Sequence, residues 1–170
     1  MESISPILIV FGGLPATGKT TVARELTIRL GAIHIRIDTI EQALRAAGRE
    51  VGALGYVIAA ELAADNLKLG RTTVVDCVNP VRASREGWRE IAESQSARLV
   101  EIELVCSDTV LHRQRAENRS PDRSGLRHPT WDEIVNRHYE PWDRAHLVLD
   151  TATHSLAQMV DAVKAHVEQW

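Results

Sequence analysis

Lysine is scarce in this sequence. Of its 20 basic residues 17 are Arg, and only Lys19, Lys68 and Lys164 are Lys. A Lys inside a motif is therefore not a chance draw from a Lys-rich chain. Cysteine is scarcer still, with Cys77 and Cys106 each ending an apolar run. Two such thiols make no disulfide framework and read as buried, reduced side chains. No apolar window approaches the roughly 20 residues of a membrane span. The N-terminus is acidic and its apolar run stops after about six residues, unlike a signal peptide, so the expected location is the cytoplasm. A net charge of −3 and a pI near 6.2 argue against a broad nucleic-acid or membrane surface, though not against a local basic cleft. The seven His have no close pairing with Cys or carboxylates of the kind zinc requires. No internal repeat or low-complexity linker is present, and 170 residues make one domain, 1–170.

What is present is an alternation. "ILIVF" (7–11), "AIHIRI" (32–37), "TTVVDC" (72–77), "RLVEIELVC" (98–106) and "AHLVLD" (145–150) read as five strands. Helical patterns lie near 19–30, 39–47, 51–69, 81–95, 108–119, 131–138 and 155–168. Short β-rich runs separated by helices imply an α/β fold, a mainly parallel sheet with helices on both faces. "DTIE" (38–41) and "TWDE" (130–133) have the form of capping boxes. "NP" (79–80) places a cap residue before a Pro suited to the first helical position. One segment breaks the rhythm: "RQRAENRSPDRSGLRHPT" (113–130) carries turn-forming breakers and five Arg against two acids. Basic and following the fourth strand, it reads as a lid.

The strongest signal lies in "IVFGGLPATGKTTVARELTIRLGA" (9–32), where Gly13, Gly18, Lys19 and Thr20 spell G-x-x-x-x-G-K-T between a strand and a helix. Glycines let successive N–H groups converge on phosphate oxygens, and the helix start adds its dipole. Gly13, Leu14, Pro15, Ala16, Thr17, Gly18, Lys19, Thr20 and Thr21 are the candidate nucleotide cradle. In it Lys19 reaches the β- and γ-phosphates of ATP and the Thr20 hydroxyl ligates Mg²⁺.

Three uses of bound phosphate compete. The base-reading Asn-Lys-x-Asp of GTPase switches is missing from the sequence. A remodelling ATPase brings a strand ending in Asp-Glu, whereas "TTVVDC" has Cys77 after Asp76. No carboxylate is left there to polarise a water. That tilts the reading toward phosphoryl transfer to a bound acceptor, which needs a base, a magnesium carboxylate, acceptor anchors and cations near the γ-phosphate. Asp38 and Asp76 close two strands whose carboxyl ends share one crevice, so both can face the phosphates. Asp76 is the candidate magnesium carboxylate, Asp38 is either base or helix cap, and both are candidate acceptor contacts. Asn79 and Arg82 open the next helix and are candidate acceptor anchors; a plain cap and a solvated Arg are the bland readings. Arg85 and Arg89 on the same helix are expected to be exposed. Arg115 and Arg119, four apart, fall on one helix face and suit an anion, unless they are solvated and balanced by Glu117. Arg113, Arg123 and Arg127 stand in reserve. Trp131, Tyr139 and Trp142 form an aromatic patch that is local core or a wall of the acceptor pocket.

With these residues the chain resembles the small P-loop kinases related to chloramphenicol phosphotransferase, gluconate kinase and the kinase domain of polynucleotide kinase, a group also labelled AAA-family ATPases. The resemblance rests on "GLPATGKTT", Asp38, "VVDCVNPVR" and "RAENR", and spans nearly the whole length. It implies a five-stranded parallel sheet and a closing lid. It also implies that Asp38 is the acceptor's general base, Arg115 lies near adenine, Arg119 meets the phosphates and Thr151 belongs to the adenine loop. The paired Asp-x-Asp and the Gly-Gly of shikimate kinases are missing, so the acceptor stays open. The expected activity is ATP- and Mg²⁺-dependent transfer to a hydroxyl of a small molecule. A nucleoside, nucleotide or polynucleotide-end kinase is the nearest alternative, although a long basic track for nucleic acid is lacking. An ATP-binding regulator without an acceptor is the alternative from another class.

Overall fold

The computed structural model describes residues 5–120 and 127–168. Five strands, β1 (Ile7–Gly12), β2 (Ile33–Arg36), β3 (Thr73–Asp76), β4 (Arg98–Val105) and β5 (Leu147–Asp150), form one sheet in the order β2-β3-β1-β4-β5. Every pairing is parallel. A parallel neighbour requires a crossover, and helices supply it. They are α1 (Lys19–Leu30), α2 (Ile37–Ala46), α3 (Leu54–Lys68), α4 (Arg82–Ser94), α5 (Thr109–Glu117), α6 (Trp131–Val135) and α7 (Leu156–Glu168).

Central β1 is covered on both faces, which is why its sequence is an unbroken apolar run. Ile9 and Phe11 pack with Val22, Ala23 and Leu26 of α1 and Val160 and Val163 of α7. Leu8 and Val10 point the other way, into Ala59, Ala63 and Leu67 of α3 and Trp88 and Ala92 of α4. The two cores clamp the sheet and hold the carboxyl ends of its strands in one line.

Two helix starts differ from the sequence expectation. Strand β2 passes into α2 without a loop, so Arg36, not Asp38, ends the strand. Asp38 sits in the first helical turn behind an extended N-cap at Arg36, and that cap makes no side-chain bond. The capping box at 38–41 does not form, because buried Ile37 already belongs to the helix and fixes its start one residue before Asp38. A carboxylate in that first turn still faces the positive end of the helix dipole. Similarly, the N-cap of α4 is Val81, not Asn79. Asn79 takes a left-handed φ of 52°, is wholly buried, and accepts a hydrogen bond from Ser84 Oγ (2.8 Å). The box at Thr130 and Glu133 forms as expected, each side chain accepting from the other's backbone N–H.

Arg85 departs furthest. Expected on the surface, it is 1% exposed. The segment 137–146 folds back over α4, and the guanidinium donates to the carbonyls of Asn79 (3.2 Å), Glu140 (2.7 Å) and Pro141 (2.9 Å). Its carbon lies 4.2 Å from the centre of the Trp142 ring. Arg89 on the same helix is exposed, as expected. Arg85→Ala strands several buried carbonyls and should cost on the order of 3 kcal/mol, measured by denaturant unfolding. ATP affinity of the folded fraction should not change.

Candidate active site

The carboxyl ends of β1 and β3 and the start of α2 open onto a cleft of about 940 Å³. Its floor is the phosphate loop. Gly13 has φ 130° and donates its N–H to the Val78 carbonyl (3.0 Å). A Cβ there would lie 2.2 Å from the Leu104 carbonyl oxygen, so only glycine fits between the strands. Gly18, at φ 104°, turns the chain into α1. Between them the Thr17 hydroxyl donates to the Leu14 carbonyl (2.9 Å).

Lys19 opens α1 and is 7% exposed. Its Nζ donates to the Leu14 carbonyl (2.6 Å). Burial pulls its pKa down to about 8; Asp76 and Asp38 oppose that pull, and Arg119 adds slightly to it. The ammonium is therefore under-solvated among its protein neighbours, and a phosphate anion would relieve it.

Distant elements brace the loop. His112 of α5 is buried, and its Nε2 lies 2.8 Å from the Pro15 carbonyl, which only an N–H can satisfy. Arg115 donates to the Thr151 hydroxyl (2.7 Å) and carbonyl (3.2 Å), and Thr151 donates to the Thr17 carbonyl (2.7 Å). One chain of bonds thus links α5, the loop after β5 and the phosphate loop. Sequence reading missed His112, because its partner lies 97 residues away and no spacing rule connects them.

Asp76 ends β3 and is 4% exposed. Its Oδ2 lies 3.7 Å from Arg36 Nε and 3.9 Å from His34 Nε2, with no hydrogen-bond donor to it among the described residues. A buried carboxylate oxygen with no hydrogen bond suits a cation, and the Thr20 side chain lines the same cleft. The pair fits magnesium. Asp38 is 49% exposed and has its Oδ2 3.4 Å from Arg36 Nη2. Asp38, Glu41 and Arg45 form one stripe of α2 along the cleft.

Pro15, Ala16, Gly18, Lys19, Thr20, Thr21, Asp38, Asp76, Arg115, Arg119 and Thr151 all line this space, while Gly13, Leu14 and Thr17 shape the loop from behind. Arg82 and Asn79 do not join them. Arg82 is exposed, with Nε 3.2 Å from Asp143 Oδ2, and the Asn79 side chain is turned inward to Ser84. Helix α5 ends at Glu117, so Arg119 lies beyond it and does not share a helix face with Arg115. Glu117 pairs with Arg113 (2.7 Å) instead. Arg127 reaches the cleft while paired with Glu133 (2.7 Å). Arg123 and the rest of 121–126, within the expected lid 113–130, fall outside the described residues. The aromatic patch divides: Trp131 meets His112 edge-on at 5.1 Å, whereas Trp142 bonds to Tyr139 and stacks on His146. All three are packing residues rather than cleft walls. Tyr56 and Arg137 do line the cleft, and nothing in the sequence marked them. Both cysteines are free thiols, Cys77 buried and Cys106 half-buried.

A family model described as an AAA domain matches residues 8–141. Comparison with curated proteins returns no match. Among solved structures, the chain is similar to an APS kinase from Mycobacterium tuberculosis in complex with AMPPNP and APS. Identity is 17%, coverage 96% of this chain and 98% of that one, and the TM-score 0.75. A sugar kinase from Janibacter sp. HTCC2649 is similar at 18% identity, 96% and 95% coverage and a TM-score of 0.70. A gluconokinase from Sinorhizobium meliloti 1021 follows at 20% identity, 97% and 93% coverage and a TM-score of 0.67. At these identities the likeness is one of fold. That fold is the α/β P-loop fold of small kinases, the one expected from the sequence.

Proposed function

The chain belongs to the AAA domain family, and from that premise we propose that it is an ATP- and magnesium-dependent kinase acting on a hydroxyl of a small polar molecule. The observation that carries this reading is the composition of the cleft. The same cleft is lined by the phosphate loop with Lys19, Arg115 and Thr151 and by Asp38, Glu41, Arg45, Tyr56 and Arg137. Side chains of both charge signs beyond the phosphates suit a polar, hydroxylated acceptor better than an apolar one.

In this mechanism the loop amides hold the phosphates, and Lys19 transfers its hydrogen bond from the Leu14 carbonyl to the β- and γ-oxygens. Asp38 takes the acceptor hydroxyl's proton as that oxygen bonds to the γ-phosphorus. The bond from that phosphorus to the β–γ bridging oxygen breaks, and ADP leaves with the electron pair. Thr20 and Asp76 would hold magnesium, which when bound neutralises charge on the phosphate oxygens. Arg115 and Thr151 keep the nucleotide end of the cleft in register with the loop.

Arg119 contributes only when its guanidinium meets the reacting phosphate. Arg119→Ala should therefore lower kcat by about 10–100-fold and leave ATP affinity within about threefold. Unchanged kcat and KM would make the segment a surface loop.

The test of the function is a screen of hydroxyl compounds for acceptor-dependent ADP release. A compound that raises ADP release and appears phosphorylated by mass spectrometry supports the reading. Tight ATP binding with turnover indifferent to every acceptor favours a nucleotide-dependent regulator instead.

A further inference from the structure

We infer that Arg36 is a positioning residue for the transfer, one guanidinium that anchors on Asp76 and holds Asp38 toward the acceptor. The inference rests on the kinase reading of the cleft and adds to it a residue that contacts neither nucleotide nor acceptor.

Parallel pairing of β2 with β3 sets Arg36 opposite Asp76. Side-chain alternation then puts both on the same face: Ile35 and Val75 enter the core under α3 and α4, while Val74 enters the core under α1 and α7. Arg36 and Asp76 therefore project together on the α1 side. Because β2 runs into α2 without a loop, Asp38 returns to the same spot two residues later. The guanidinium meets Asp76 Oδ2 through Nε at 3.7 Å and Asp38 Oδ2 through Nη2 at 3.4 Å.

The three side chains are unequally free. Arg36 is 9% exposed and Asp76 4%, so that end of the contact is enclosed by protein, whereas Asp38 is half-exposed and has rotamers to lose. Water screens the charge on a half-exposed carboxylate, so orientation is the larger effect of the contact. Holding one oxygen of Asp38 from behind leaves the other to face the acceptor hydroxyl. A planar group with nitrogens on several edges can serve two carboxylates at once; an ammonium is a single point. Misplacing a base by about 1 Å is enough to cost on the order of 10²-fold in rate.

The experiment uses Arg36→Gln and Arg36→Lys in the full chain. Arg36→Gln should lose about 10–100-fold in kcat, with ATP affinity and acceptor KM within about threefold of wild type. Arg36→Lys, which keeps the charge, should recover part of that loss. A crystal structure of Arg36→Gln should show Asp38 in more than one rotamer or displaced from the cleft. If kcat per folded molecule matches wild type, or the whole loss lies in ATP affinity, the positioning role is wrong. Asp38 found in place in the Arg36→Gln crystal overturns the role without any activity measurement. A wild-type protein that phosphorylates no hydroxyl acceptor overturns the kinase reading instead, and this role in transfer with it. Should Arg36→Gln fail to fold, Arg36→Lys carries the same kcat, affinity and crystallographic comparison.

Discussion

Lys19→Ala should abolish turnover, with kcat lower by at least about 10²–10³-fold, while the protein keeps its fold. The lysine supplies a phosphate contact that strengthens as charge moves onto the leaving ADP. Stability should not suffer. Buried Lys19 titrates near 8 in the folded protein against 10.5 when solvated, so its charged form is penalised by folding. Below pH 8 the folded and unfolded states both carry the proton, and the penalty is fully present. It is released as pH rises from about 8 to 10.5, a gain in stability that Lys19→Ala should lack. Bound phosphates raise the lysine's proton affinity, so ATP binding above pH 8 must take up a proton. Wild-type ATP affinity should then fall as pH climbs past 8, approaching about tenfold per pH unit, and the alanine variant should show no such slope. Calorimetric titrations at several pH values in buffers of different ionisation heat measure both effects. A variant with near wild-type turnover would end the kinase reading.

Asp38→Asn should lower kcat with an acceptor present by on the order of 10²–10⁴-fold and leave ATP affinity nearly unchanged. The substitution keeps size and hydrogen-bonding reach and removes the base. The helix-cap alternative has lost its footing, since Asp38 lies inside the first turn of α2 and the cap at Arg36 makes no side-chain bond. Helix-dipole and exposed ion-pair losses should together stay within about 1 kcal/mol. Two measurements, acceptor turnover and nucleotide affinity, separate the outcomes. Loss of turnover alone identifies the base. Loss of ATP and magnesium binding together would move Asp38 into the metal shell. Activity near wild type would leave the acceptor's proton to another group.

Several parts of this protein were legible in its sequence because local chemistry determines them. The unbroken apolar run at 7–11 announced a strand, and the packing of helices on both faces of β1 accounts for that run. Gly13, Gly18, Lys19 and Thr20 announced the phosphate loop, since few backbones bring amides to one point and each glycine answers a steric demand. Alternating strands and helices announced the parallel sheet, because parallel neighbours need crossovers. Thr130 and Glu133 announced a helix start through bonds that span three residues. Tertiary structure alone decided what depends on partners distant in the chain. Arg85 looked like a surface residue until segment 137–146 folded over it. Asn79 and Arg82 looked like acceptor anchors until a left-handed turn buried one and Asp143 engaged the other. His112 and Pro15 meet across 97 residues, and Arg36 meets Asp76 only through the β2–β3 register. A spacing pattern encodes which residues share a face of one element, but the neighbour on the far side of a contact comes from how the elements pack.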